Sequence, residues 1–308
     1  MAGVCAVTGA TGFLGRNLVR VLAAEGWRVR ALARRDPVAA FGEAQAEVTI
    51  GGLDRAALAK LCRGAEVLVH VAGLVKAPNR RAFDAVNVEG ARLAAEAARA
   101  AGARMVLVSS LAAREPQLSD YAASKRAGET AAAAVLGDKL SVVRPPAIYG
   151  PGDRETLTIF RFAARSPLLP VFDPRARIAL IHVEDAARQI AAAAAFAPAK
   201  PCVALSDACP EGYSWREIVQ AAACAVGSRA RAMRTPAGVL ALAGLVGSLS
   251  QKFGARPILT LGKSRELRWP DWALGGEERW ESAPPAKFTL NEGFGHTVGW
   301  WRASRVML

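Results

Sequence analysis

The sequence predicts an α/β fold, a doubly wound parallel sheet followed by a smaller C-terminal substrate-side region. Two observations carry this. Over the first 145 residues, short β-branched runs alternate with longer alanine-rich helical stretches, the pattern of βαβ units. A glycine loop, Thr8-Gly9-Ala10-Thr11-Gly12-Phe13-Leu14-Gly15, follows the first run and opens the first helix.

The elements follow in order. Residues 4–8 (Val-Cys-Ala-Val-Thr) form the first strand and 13–25 the first helix. Strands are then expected at 28–33, 66–71, 104–109 and 140–144. Helices are expected at 54–63, with Asp54 as N-cap, at 80–101 and at 121–136. After Arg144-Pro145-Pro146 the alternation ends, and loops rich in Pro and Gly mix with helices near 184–196 and 214–226. The tail from Leu267 carries five of the seven tryptophans with few signs of regular structure, and there is no internal repeat. The expected division is a nucleotide-binding domain over 1–145 and a mixed substrate-binding region over 146–308, some of whose segments return to the first domain's core.

The chain has 308 residues, 52% hydrophobic and 22% charged, which suits a folded globular protein rather than a disordered one. No basic stretch precedes the first strand, so a cytoplasmic protein is expected. Five cysteines without Cys-x-x-Cys spacing point to buried thiols, with neither a metal site nor a disulfide framework. A net charge of +13 implies an anionic partner. Residues 229–265 supply seven of those charges (Arg229, Arg231, Arg234, Lys252, Arg256, Lys263, Arg265) and contain no acid.

Three motifs carry chemistry. In the glycine loop, Gly9-x-x-Gly12-x-x-Gly15 lets backbone approach a pyrophosphate whose charge meets a helix N-terminus, so Gly9, Thr11, Gly12, Phe13, Leu14 and Gly15 are candidate cofactor contacts. The second strand runs into Arg34 and Arg35, where an NAD-preferring protein usually places an acid for the ribose 2′-hydroxyl. A guanidinium pairs bidentately with a 2′-phosphate, so NADP(H) is favoured as cofactor. Tyr121 and Lys125, four residues apart, share one helix face. A free tyrosine has a pKa of about 10, and the neighbouring ammonium favours the phenolate needed for acid–base work. Ser110, at the end of the Val106-Leu107-Val108-Ser109-Ser110 strand, is placed to hydrogen-bond a substrate carbonyl or hydroxyl.

With these motifs in this order, the chain resembles an extended short-chain dehydrogenase/reductase of the NAD-dependent epimerase/dehydratase superfamily. The likeness extends to His70-Val71-Ala72-Gly73, Asn87-Val88-Glu89-Gly90, Arg144-Pro145-Pro146-Ala147-Ile148-Tyr149-Gly150-Pro151-Gly152 and Ile181-His182-Val183-Glu184-Asp185-Ala186. By that resemblance Ser110, Tyr121 and Lys125 are catalytic. Ala72 and Gly73 line the cofactor, Asn87 supports the active-site network, and Pro146 to Ile148 touch the nicotinamide end. His70 and His182, inside apolar runs, read as structural.

Two departures narrow the branch. Gly51-Gly52-Leu53 stands where relatives often carry an Asp reaching the adenine. The interval from Ser110 to Tyr121 is shorter than in typical sugar-nucleotide epimerases. It resembles the branch that includes the nucleotide-binding accessory subunit of respiratory complex I and bacterial reductases acting on oxidised ceramide.

Residues 236–250 are apolar but shorter than the roughly 20 residues of a spanning helix, so they should not cross a bilayer. They suit a helix that dips into an anionic interface or covers an apolar substrate pocket, or equally a buried helix; their coincidence with the acid-free basic stretch favours the membrane surface, with peripheral contact through 229–265. No nucleic-acid motif is present, and the arginines are not interleaved with aromatics, so nucleic acid is not the expected partner. The expected function is NADPH-dependent reduction of a ketone on a lipid, specifically 3-oxo-sphinganine or its N-acylated ceramide form. The alternatives are a nucleotide-sugar epimerase or dehydratase, a non-catalytic NADPH-binding assembly protein, and reduction of another apolar ketone such as a steroid.

Overall fold

A computed structural model describes residues 3–36, 41, 42, 44–171, 173–236, 238 and 261–305. Among them the strands are β1 (Val4–Thr8), β2 (Arg28–Ala33), β3 (Glu47–Ile50), β4 (Val67–His70), β5 (Arg104–Val108), β6 (Leu140–Arg144), β7 (Ala147–Tyr149), β8 (Leu168–Val171), β9 (Arg177–Ile178), β10 (Leu180–His182), β11 (Cys202–Ala204), β12 (Arg231–Arg234) and β13 (Asp271–Trp272). The helices are α1 (Phe13–Ala24), α2 (Arg55–Cys62), α3 (Arg80–Asn87), α4 (Glu89–Ala100), α5 (Asp120–Leu136), α6 (Leu157–Arg165), α7 (Val183–Ala195), α8 (Trp215–Val226), α9 (Leu261–Arg268) and α10 (Leu290–Ala303).

The chain divides into two compact units. One takes Met1–Pro145, Ala186–Leu205 and Trp280–Pro284; the other takes Pro146–Asp185, Ser206–Arg279 and Pro285–Leu308. In the first, seven strands form one sheet in the order β11-β6-β5-β4-β1-β2-β3, every pairing parallel. β1, β4 and β6 are buried along their whole length, as expected of a sheet covered on both faces. The strand order reverses at β1, which lies between β2 and β4 and so puts its C-terminal end at the switch point where such sheets bind ligands.

Local sequence explains the helices around this sheet. α1 buries Leu14, Leu18, Val19 and Leu22 on one stripe. Leu18 and Leu22 are wholly enclosed, each contributing roughly 1.5–3 kcal/mol by burial. The chain then turns at Gly26, whose φ of +87° only glycine adopts readily. Ala91, Ala94, Ala95 and Ala98 of α4 pack with Leu58, Leu61, Leu68 and Met105 in one core cluster. Small side chains there let the alanine-rich helices lie close. The helix expected over 80–101 is two: Val88, with φ −100° and ψ −61°, separates α3 from α4.

The second unit is built from two-stranded parallel pieces, β7 with β10, β8 with β12 and β9 with β13, and from helices including α6, α8 and α10. Tyr149, Phe160 and Phe294 meet edge to face at its core, with centroids 5.0 Å apart in both the Tyr149–Phe294 and Phe160–Phe294 pairs. α10 corrects the sequence expectation of an irregular tail. A capping box of Thr289 and Glu292 starts it, and Leu290, Phe294, Val298 and Trp301 give it a buried stripe.

Candidate active site

The glycine loop joins β1 to α1. Gly9 has φ +67°, and a Cβ on it would lie 2.6 Å from the Ala72 nitrogen. A Cβ on Gly15 would lie 2.0 Å from the Gly9 carbonyl oxygen, so neither position admits a side chain. Gly12 is the N-cap of α1, offers no side-chain cap, and is followed by a first turn without acids. Thr11 and Gly12 are exposed, Phe13 half-buried and Leu14 buried. Uncapped N–H groups reached over bare backbone suit an anion, so the loop fits a dinucleotide pyrophosphate.

The wall beside the loop is tied by side chains. The Ala72 N–H donates to Thr8 Oγ1 at 3.3 Å, and Thr8 Oγ1 lies 2.9 Å from His70 Nδ1. Burial, with the Lys125 charge second, pushes the His70 pKa down to about 3, so the ring is neutral. Gly73 is exposed next to this wall, and a Cβ on it would approach Asn87 Oδ1 to 3.2 Å and Lys125 Nζ to 3.6 Å. Buried Asn87 accepts from the Leu74 N–H at 2.8 Å and donates to the Leu74 carbonyl at 3.0 Å and to Ser124 Oγ at 2.9 Å. It clamps the segment after β4 to α5.

α5 starts on Ser119, whose hydroxyl accepts from the Ala122 N–H. Tyr121 sits in its first turn, half-buried, with its ring 6.0 Å from that of Phe83. One turn on, buried Lys125 donates to the Val108 carbonyl at 2.8 Å. Burial pulls its pKa down to about 8, and the charge of Glu129 opposes that shift. Ser110 lies beyond β5, where it caps a short 3-10 turn, Leu111–Arg114, by accepting from the Ala112 N–H at 3.2 Å. That bond uses an oxygen lone pair and leaves the hydroxyl hydrogen orientable towards a substrate oxygen.

Sequence reasoning passed over the residues beneath this set. Glu129 is buried, one turn beyond Lys125, and accepts from Ser109 Oγ at 2.5 Å. Arg144 at the end of β6 grips it bidentately, Nε to Oε1 at 2.9 Å and a terminal nitrogen to Oε2 at 2.6 Å. Thus the Val108 carbonyl goes to Lys125, the Ser109 hydroxyl to Glu129 and the Ser110 hydroxyl to the Ala112 N–H. The readable signals were the Lys125-x-x-x-Glu129 spacing and the serine doublet.

The remaining candidates are placed as follows. Arg34 and Arg35 are exposed directly after β2, and exposed Asp36 follows them. Pro146 and Ile148 belong to the second unit, the first buried and the second half-buried in β7. In that unit His182, Glu184 and His296 bring possible ligand atoms within 4.8 Å of one another, a cluster that cysteine and histidine counts did not foretell. Both His182 ring nitrogens are engaged: the Glu184 N–H donates to Nδ1 at 3.3 Å, and Nε2 faces His296 Nδ1 at 3.4 Å. A ring-to-ring hydrogen bond accounts for this geometry without an ion.

The sequence matches the profile of the NAD dependent epimerase/dehydratase family over residues 5–202. The chain belongs to this family. It is 53% identical over 305 residues to the ceramide reductase of Caulobacter vibrioides (strain NA1000 / CB15N), covering 98% of this chain and 95% of that one. It is 33% identical over 227 residues to the 4-hydroxy-2-methyl-3-oxo-4-farnesyl-3,4-dihydroquinoline-1-oxide ketoreductase of Stigmatella aurantiaca, covering 66% of this chain and 68% of that one. Among solved structures, MoeE5 in complex with UDP-glucose and NAD superimposes with a TM-score of 0.70 at 22% identity, covering 99% of this chain and 100% of that one. That likeness concerns the fold. Family membership and the reductase relative make the chain an oxidoreductase of the extended short-chain type, and they support a nicotinamide dinucleotide as its cofactor.

Proposed function

We propose that this protein is an NADPH-dependent reductase of a ketone on a long-chain lipid, with 3-oxo-sphinganine or 3-oxo-ceramide as substrate in bacterial sphingolipid synthesis. The observation that carries the reading is near full-length similarity to a ceramide reductase in a chain whose Ser110, Tyr121 and Lys125 are all present. The glycine loop (Gly9, Thr11, Gly12, Phe13, Leu14, Gly15) and Ala72, Gly73 and Asn87 would hold the dinucleotide. Pro146 and Ile148 are assigned to its nicotinamide end, and residues 146–308 to substrate recognition. Exposed Arg34 and Arg35 favour a 2′-phosphate, hence NADPH over NADH.

Bound NADPH supplies the hydride for the carbonyl carbon. Tyr121 gives its phenolic proton to the carbonyl oxygen, completing the alcohol, and is reprotonated from solvent. Lys125, held by the Val108 carbonyl, stabilises the phenolate left behind and reaches towards the ribose. The Ser110 hydroxyl donates to the carbonyl oxygen and polarises it before transfer. The same reading puts the enzyme at the inner face of an anionic membrane, where such a substrate resides, with contact through residues 229–265. Residues 237 and 239–260 of that stretch lie outside the described residues.

Tyr121→Phe tests the mechanism. It should abolish turnover of the 3-oxo lipid and leave the dissociation constant for NADPH within about threefold; undiminished turnover would remove Tyr121 as the proton donor.

A further inference from the structure

One exposed face of the second unit combines apolar and cationic side chains. α6 turns Leu157, Phe160 and Ala163 inward and leaves Arg161, Phe162 and Arg165 exposed. The link to β8 is fixed by Ser166, whose N–H donates to the Phe162 carbonyl at 2.8 Å and whose hydroxyl donates to the Leu168 carbonyl at 2.7 Å. Phe162 and Leu168 therefore flank one tight turn. β12 begins beside that turn, with the Arg231 N–H donating to the Pro167 carbonyl at 2.9 Å. Its register sets Arg231 opposite Leu168 and Met233 opposite Pro170.

Alternation along the two strands then sorts the side chains. Leu169, Val171 and Ala230 join the core, and Ala232 packs against it. Leu168, Pro170, Arg231 and Met233 face outward. Phe162 is 54% exposed, and Leu168 and Met233 are each 45% exposed. Residues 157–171 and 228–236 together contain five arginines (Arg161, Arg165, Arg229, Arg231, Arg234) and no acid. Beyond these segments, the Asp173 carboxyl, held below the usual range chiefly by hydrogen bonds from Arg175, also feels the charge of Arg234.

We propose that this face of α6, β8 and β12 docks on an anionic lipid bilayer. Water penalises exposed Phe162, Leu168 and Met233, whereas a bilayer interface accepts them among acyl chains while arginines meet the headgroups. A nucleic acid would reward stacking platforms, and Phe162 is the sole aromatic among these exposed residues. The sequence leaving β12 continues into the apolar stretch 236–250, in keeping with the same partner. The proposal rests on the lipid-ketone reading for its purpose and not for its geometry.

Sedimentation of the full chain with phosphatidylglycerol/phosphatidylcholine vesicles, against phosphatidylcholine alone, tests it. Binding should require the anionic lipid and fade in about 1 M salt, where the screening length is about 3 Å. Each cation near the surface is worth roughly fivefold in partitioning, so R165E/R231E should weaken binding by at least about 25-fold. M233S should weaken it further at unchanged charge. Both variants should keep the parent's melting temperature and its NADPH affinity. Equal binding to neutral vesicles, or equal binding by parent and variants, would overturn the proposal. Anionic vesicle binding by a protein that reduces neither 3-oxo lipid would sink the functional reading and leave the surface standing.

Discussion

At the level of single residues, chemistry that sits at fixed spacing was readable and chemistry assembled by folding was not. Tyr121 and Lys125 announce themselves four residues apart, but Arg144 reaches Glu129 of α5 from β6, and only folding brings Ser109 to the same carboxylate. Glu129→Gln removes the charge that opposes the lowering of the Lys125 pKa. Activity should fall above about pH 8 in the parent, as Lys125 loses its proton, and the fall should move to lower pH in the variant. A pH–rate profile superimposable on the parent's would show that Glu129 does not act through Lys125. The variant also breaks the buried ion pair between Glu129 and Arg144, at a cost of about 3–5 kcal/mol, which chemical denaturation would read. The E129L/R144M pair should recover most of that stability without restoring the pH profile. Arg34→Ala with Arg35→Ala should weaken NADPH roughly 10- to 100-fold and NADH little, by the usual worth of charge-assisted bonds. Equal losses for the two cofactors in binding titrations would reassign the arginines.

Among the elements, strands flanked by strong turn signals were legible and short edge strands were not. Val4–Thr8, Arg28–Ala33 and Leu140–Arg144 fall where β-branched runs place them. Glu47–Ile50 and Cys202–Ala204 are four and three residues long at the two edges of the sheet, too brief for alternation to register. The break between α3 and α4 escaped notice because both halves share helical composition. Close approach between helices is likewise invisible in one dimension: a Cβ on Gly128 of α5 would lie 2.3 Å from the Asn87 carbonyl. Gly128→Ala should therefore cost about 1–3 kcal/mol and displace the helix bearing Tyr121. Differential scanning calorimetry with parallel kinetics would check it, and a variant as stable and active as the parent would contradict the contact. Ser119→Ala, by contrast, should cost only about 1 kcal/mol, the worth of a lost cap.

Across the whole molecule, composition and the order of motifs sufficed for the fold class, while the second unit's small parallel sheets had no signature in the sequence. Its pieces, β7 with β10, β8 with β12 and β9 with β13, pair residues far apart in the chain. Part of the pH dependence of stability follows from two histidines buried in their neutral forms. Burial holds His70 and His182 at pKa values of about 3, against 6.5 in the unfolded chain, so the unfolded state binds more protons between those limits. Stability should fall as pH drops from about 6.5 towards 3. A melting temperature flat over that range would contradict it. The central claim is reduction of a lipid ketone at the expense of NADPH. The most direct measurement is oxidation of NADPH, against NADH, by the purified protein given 3-oxo-sphinganine or its N-acyl derivative in detergent micelles. The account predicts NADPH-specific turnover of at least one of them, with one NADPH consumed per alcohol formed; tight NADPH binding with no turnover of either would contradict it.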